Sequence, residues 1–276
     1  MKPYYADDRV TLYHGDCREV LAGMADRSVD CVITDPPYSD RTHRNAKANS
    51  AAKGYAVKSI TFASISDDDL REAIEEMGRV SRGWLVSTLD YRHAVAFDVA
   101  PPEGLRVLRL GVWVKTNPTP QISGDRPSQG WESIAYMHRD DLKPSWGGGG
   151  KHGNFVTPIP PPEGHPTAKP LPMVRQWVQW FTKPGDVIFD GYAGSGTTGR
   201  AALDEGRRAI LVEEKEAYCE VIAKRLAQDV LDFGEDERLS EYTWGEHGTA
   251  PTGEFAPHQP GPGRDSTPST GRGNRG

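Results

Sequence analysis

No stretch of this sequence approaches the roughly 18 consecutive apolar residues needed to cross a bilayer, and its opening, Met1-Lys2-Pro3-Tyr4-Tyr5-Ala6-Asp7-Asp8, lacks the apolar core of a signal peptide. A soluble, cytoplasmic protein without a membrane partner is therefore expected. Cysteine is scarce: Cys17, Cys31 and Cys219 are the only three, they lie in apolar or helical patterns, and none has metal-ligand spacing. That argues against a disulfide framework or a bound metal and suits a reducing compartment. An excess of basic charge is also missing. Lys and Arg total 33 against 39 acidic residues, a net charge of −6, so the chain carries no uniformly basic coat, although a sum says nothing about one face. There is no internal repeat, and no nuclease-type pattern of a separated Asp and Glu-x-Lys.

Short apolar, β-branched-rich runs do recur, at 10–13, 29–34, 84–89, 105–114, 133–137, 187–189 and 209–212, alternating with helical patterns. This is the signature of parallel βα units, hence an α/β fold. One domain over 1–232 is expected. It is followed over 233–276 by a tail rich in Gly, Pro, Ser and Thr, with too few apolar residues to order itself. Helices are predicted after Ser66, where Asp69 stands in for the usual Glu of a capping box, after Lys169-Pro170, over 198–205 with Gly206 as cap, and over 216–230. Trp177 and Trp180 are read as core, and Trp113 and Trp131 as packing the sheet.

Four of the strand candidates run directly into an acid, at Asp16, Asp35, Asp190 and Glu213. Ligands of open α/β sheets bind beyond the carboxyl ends of the strands, so these four acids can converge on one crevice. The plainer alternative is that acids favour the solvated turns where strands end.

Two of these acids open motifs. Asp35-Pro36-Pro37-Tyr38 combines a carboxylate, a rigid corner and an aromatic ring. The exocyclic amine of adenine or cytosine is a poor nucleophile, because its lone pair is delocalised into the ring. Asp35 and a backbone carbonyl of the corner can accept both amine protons and stabilise the cation that forms as a methyl group arrives. Pro36 and Pro37 present no competing N–H, and Tyr38 can stack on the base. A base inside a duplex reaches such a corner only by flipping out. The second motif, Asp190-Gly191-Tyr192-Ala193-Gly194-Ser195-Gly196-Thr197-Thr198, is a glycine-rich strand-to-helix turn suited to a nucleotide-like cofactor, with Glu213 placed to bind ribose hydroxyls. Gly194-Ser195-Gly196-Thr197-Thr198-Gly199 also matches the dinucleotide pattern, which leaves an NAD-dependent oxidoreductase as an alternative. Behind the proline corner, the segment 39–59 carries Arg41, His43, Arg44, Lys47, Lys53 and Lys58 against the single acid Asp40. It is read as a mobile basic loop that grips phosphates.

Together these elements resemble the S-adenosylmethionine-dependent DNA amino-methyltransferases, specifically the β group, in which the Asp-Pro-Pro-Tyr corner precedes the cofactor turn. The resemblance implies a Rossmann-like, seven-stranded, mostly parallel sheet with one antiparallel strand and a circularly permuted motif order. It implies catalysis by Asp35, Pro36, Pro37 and Tyr38. S-adenosylmethionine would lie against Asp16, Cys17, Asp35, Asp190, Tyr192, Ala193, Gly194, Ser195, Gly196, Thr197 and Glu213, with Asp16 on its adenine amine and Glu213 on its ribose. Thr167 and Lys169, in His165-Pro166-Thr167-Ala168-Lys169-Pro170, would lie near its carboxylate; Ala168 stands where the family often has Gln. The segment 116–164, including Arg126 and Lys151, occupies the place where the family reads its target sequence, and double-stranded DNA is the implied partner. Asp rather than Ser before the prolines implies adenine-N6 methylation; cytosine-N4 methylation and a non-catalytic DNA-binding module remain as alternatives. The resemblance also suggests a restriction-modification setting in a bacterial or phage-infected cell. It leaves open a homodimer and a restriction endonuclease partner.

Overall fold

A strand covered by helices on both faces has little use for polar positions, and the sequence VDCVIT forms such a strand, β3 (Val29–Thr34), inside a nine-stranded sheet. The computed structural model describes residues 1–37, 65–118, 120, 121, 125–161 and 168–227. The other strands are β1 (Tyr5–Ala6), β2 (Val10–His14), β4 (Ser81–Leu89), β5 (Leu105–Lys115), β6 (Trp131–Arg139), β7 (Phe155–Thr157), β8 (Val187–Asp190) and β9 (Arg208–Glu213). Their order is β1-β2-β9-β8-β3-β4-β6-β5-β7. The stretch from β2 to β5 is the expected seven-stranded sheet: β2, β9, β8, β3 and β4 pair in parallel, and β6 runs antiparallel between β4 and β5. The additions are β1 and β7, edge strands of two and three residues, too short to leave a periodic signal.

Among the described residues six helices cover the sheet: α1 (Cys17–Ala22), α2 (Asp67–Val80), α3 (Tyr91–Val99), α4 (Leu171–Phe181), α5 (Thr197–Asp204) and α6 (Glu216–Leu226). Side chains alternate across each strand, and the core divides accordingly. Ile33, Val86, Ile134 and Leu211 pack with Met173, Trp177, Ala202 and Ile222 of α4, α5 and α6. Val32, Leu85, Met137 and Val212 pack with Leu21, Ile74, Met77 and Phe97 of α1, α2 and α3. The Ser66 hydroxyl caps α2 by accepting from Asp69 N at 3.1 Å, and donates to the Asp69 carboxylate at 2.6 Å, a variant of the expected capping box. Helices α1 and α3 were not anticipated; each begins behind an aspartate cap, Asp16 or Asp90. All three cysteines are free and buried. Trp113 and Trp177 are fully enclosed, but Trp131 is 38% exposed, a correction to its reading as sheet packing: it is the first residue of β6, at the rim.

Parallel pairing sets the carboxyl ends of five strands along one edge. The antiparallel register, Leu89 opposite Ser133 and Val114 opposite Trp131, brings the start of β6 and the end of β5 to the same edge.

Candidate active site

Along that edge the strands present Asp16, Glu213, Asp190, Asp35, Thr88, Glu132 and Lys115, in sheet order. The first four are the acids singled out from sequence, and their strands are adjacent: His14 is level with Glu213, Asp190 with Leu211, and Phe189 with Val32.

Asp190 is buried and accepts from the Thr34 hydroxyl at 2.9 Å and Tyr192 N at 3.0 Å, tying β3 to the glycine turn. Burial pushes its carboxyl up to about 6. The turn then needs left-handed backbone at Gly194 and Gly196, φ +55° and +78°, which favours glycine, and Gly196 caps α5. Glu213 closes the turn from the neighbouring strand, its carboxylate accepting from Gly194 N and Lys215 N, each at 2.9 Å. Burial raises its pKa against the pull of those two donors. Ala193, Ser195 and Thr197 are buried. The Tyr192 hydroxyl meets the Cys17 thiol; burial raises both, the thiol to about 11. Asp16 caps α1 through Arg18 N at 2.9 Å and is gripped by the Arg18 guanidinium at 2.6 Å, which lowers its pKa. Its carboxylate is therefore committed to Arg18 in this state.

The far half of the site centres on Asp35. Its Oδ1 accepts from the Thr88 hydroxyl, and its Oδ2 from Lys169 Nζ at 2.5 Å. Lys169 Nζ lies 3.4 Å from Glu132 Oε2, and Glu132 Oε1 lies 2.5 Å from Lys115 Nζ. Burial works against the Lys169 charge, but Asp35 and Glu132 hold its pKa above the usual lysine value. Burial, with help from Glu132, raises Asp35 against the pull of Lys169. Asp35 is still 28% exposed at its side chain, whereas Lys169 is 8% and Glu132 13% exposed. Lys169 thus stands on the carboxylate of the proline corner. Thr88, Glu132 and Lys115 have no motif around them, and only the antiparallel pairing brings the last two here.

Arg126 is exposed in the β5–β6 connection at this edge, where it pairs with Asp125. The later part of the recognition segment runs elsewhere. Trp146 packs against Trp180 and Phe181 at the end of α4, and Ser145 O accepts from Trp84 near the start of β4, so this stretch lies toward the opposite edge. Lys151 follows it, exposed and before β7, and is not brought beside Asp35. Tyr38, Thr167, Arg41, Arg44, Lys47, Lys53 and Lys58, with the expected mobile loop and tail, lie outside the described residues. Among the described residues there is no cluster able to hold a metal and no helix long and apolar enough to cross a membrane.

The donor set fits S-adenosylmethionine. Asp190, a buried carboxylate at the mouth of the glycine turn, suits a cationic ligand and opposes a pyrophosphate, which weighs against NAD, while Glu213 suits ribose hydroxyls. Comparison with known proteins agrees. Residues 141–225 match the N6/N4 DNA methylase family model. The Type II methyltransferase M2.DpnII of Streptococcus pneumoniae is 28% identical over 253 residues, covering 82% of this chain and 92% of that one. In fold, the chain resembles M1.HpyAVI, solved with S-adenosylmethionine, at a TM-score of 0.61 with 24% identity, covering 79% of this chain and all of that one. It also resembles the cytosine-N4-specific PvuII DNA methyltransferase, at 0.63 with 16% identity, covering 87% and 93%. With its proline corner ahead of the glycine turn, the chain is similar to the S-adenosylmethionine-dependent DNA amino-methyltransferases of the β group, and these likenesses support that family.

Proposed function

We propose that the protein methylates the N6 amine of adenine at a specific site in double-stranded DNA. The observation that carries this reading is Asp35, ionisable and partly exposed at the proline corner, one strand away from the glycine turn. Asp35 and a backbone carbonyl of Pro36-Pro37 accept the two amine protons, which localises the nitrogen lone pair. Tyr38 stacks on the flipped base. When bound, S-adenosylmethionine supplies an electrophilic methyl group. The chain's own residues orient it: Glu213 accepts from the ribose hydroxyls, since each carboxylate oxygen keeps a second lone pair beside its backbone N–H. Asp190 and the turn 193–197 face the methionine portion, and Asp16, with Cys17 behind it, faces the adenine once Arg18 yields. Lys169 borders the same crevice, and Thr167 is assigned to the cofactor carboxylate by the family resemblance alone. The basic residues Arg41, Arg44, Lys47, Lys53 and Lys58 bind phosphates from the loop behind Tyr38, Arg126 approaches the bases from the β5–β6 connection, and Lys151 contacts DNA only at a distance from Asp35. The work is that of one domain over 1–232, acting in the cytoplasm.

Asp35 in place of Ser supports adenine over cytosine by resemblance; both amines suit the same chemistry. Mass spectrometry of nucleosides from DNA of cells expressing the protein decides between them. N6-methyladenine is expected, and it should disappear with Asp35→Ala. N4-methylcytosine would move the assignment to the other base, and a product level unchanged by Asp35→Ala would remove Asp35 from catalysis.

A further inference from the structure

Both oxygens of Asp35 are occupied before any base arrives, Oδ1 by the Thr88 hydroxyl and Oδ2 by Lys169 Nζ at 2.5 Å. Thr88 can remain, because a carboxylate oxygen accepts more than one hydrogen bond. The ammonium competes with the amine at Oδ2 and withdraws electron density from it, so the amine meets a full carboxylate only when the ammonium moves away. Lys169 is nevertheless not confined to Asp35. Glu132 Oε2 lies 3.4 Å from the same nitrogen, and Lys115 holds the other Glu132 oxygen at 2.5 Å, with its Nζ 4.9 Å from the Trp113 ring centre. The four charges alternate in sign, Lys115, Glu132, Lys169, Asp35. A shift of the ammonium by less than about 1 Å would exchange one carboxylate for the other at hydrogen-bond distance.

Resting on the reading of Asp35 as the group that accepts the target amine, we propose that Glu132 is a positioning residue: it receives the Lys169 ammonium when the amine takes Asp35 Oδ2. No charge is expelled into a poorly solvated pocket by this exchange, and Asp35 regains its full anionic character as positive charge grows on the base nitrogen. The charged and titratable groups facing Asp35 are Lys169 ahead of α4, Glu132 on β6 with Lys115 of β5 behind it, and Asp190 on β8.

The test is the pH dependence of single-turnover methyl transfer at saturating DNA and S-adenosylmethionine. In Glu132→Gln, Asp35 is the carboxylate left beside Lys169 among the described residues. The acid limb should fall by about 1 pH unit, and the plateau by about tenfold or more, with Glu132→Asp restoring much of the plateau. In Lys169→Met the limb should move the opposite way, to higher pH. Lys115→Met keeps the test decisive if Glu132→Gln does not fold: with the Lys115 charge gone, Glu132 draws Lys169 from Asp35 more strongly and raises the limb. Unshifted limbs in the folded variants, or a plateau loss that Glu132→Asp does not rescue, would overturn the role of Glu132. If Asp35→Ala retains activity, the reading of Asp35 fails; if it is dead while the limbs stay fixed, the role of Glu132 alone fails.

Discussion

Asp190→Asn removes a charge from the middle of the site and changes little else. The amide oxygen can keep accepting from the Thr34 hydroxyl and Tyr192 N, and the amide nitrogen can donate to Thr198, whose hydroxyl bonds Asp190 in the wild type. Burial holds the Asp190 carboxyl at about 6 against 3.8 for the free residue. A folded pKa above the unfolded one means that folding binds a proton between those values, so the ionised form destabilises the fold throughout the range above about 6. At about 1.4 kcal/mol per unit, that destabilisation is ~3 kcal/mol at pH 8. The Asn variant should therefore be more stable at pH 8 by up to that amount, a rise in Tm of about 5–10 °C for a domain of this size. The gain should shrink as pH falls through 6 and vanish near 4. Thermal melts of cofactor-free protein across this range read the effect directly. The same charge is assigned to the cationic side of the cofactor, so calorimetry should show S-adenosylmethionine binding weakened at least about tenfold. A variant that melts no higher than wild type at pH 8, or an advantage that does not fall with pH, would refute the electrostatic account. Undiminished cofactor affinity would refute the placement of the ligand.

Glu213→Ala should weaken S-adenosylmethionine binding by about 1.5–3 kcal/mol, the range for a hydrogen bond to a charged group, without changing which base is methylated. Calorimetry and product analysis check the two halves, and the loss of Gly194 N and Lys215 N as partners should also lower the Tm. Gly111→Ala should destabilise the protein by at least about 2 kcal/mol, because the added Cβ would lie 2.1 Å from Gly153 O and 2.8 Å from the Tyr136 ring; a melt within 1 °C of wild type would contradict the backbone approach beside β7. Neutralising Arg41, Arg44 and Lys47 together should lower DNA affinity and flatten its salt dependence by about three contacts' worth of slope. An unchanged slope in a titration of binding against salt would remove those residues from the phosphate interface.

Most of the sheet was legible because its seven longest strands hold short apolar, β-branched-rich runs, and β3 spans the predicted 29–34. Helices α2, α4, α5 and α6 were legible from a periodic apolar face, helped in α2 by the Ser66 cap and in α4 by Pro170 at its start. Helix α1 hid because it has six residues, and its capping Asp16 was the same residue being read as a ligand. Helix α3 starts at Tyr91 behind Asp90 and buries only His93, Ala94 and Phe97, too weak a stripe to stand out. Of the site, the four acids at strand ends carried a local signal. Lys169 was marked by the segment 165–170, but its link to Glu132 and Lys115 carried no signal: the three come from the approach to α4, from β6 and from β5, and nothing near Glu132 in sequence marks it as more than a polar residue at a strand start.

The strand order has a consequence for how the protein is made. Strands β2 and β3 are the first long ones to leave the ribosome, yet β9 and β8 lie between them. β3 is bare along its β8 side until residue 190 has emerged, and β2 has no parallel neighbour until residue 213 has, so Cys31 and Ile33, and for longer Val10 and Leu12, wait for their partners. The nascent chain must therefore carry unpaired strand edges through most of its synthesis, the condition under which non-local pairing is slow and association with other chains competes. Methylating activity should consequently appear only after nearly the whole domain has been translated, and the protein should draw on chaperones more than its size suggests.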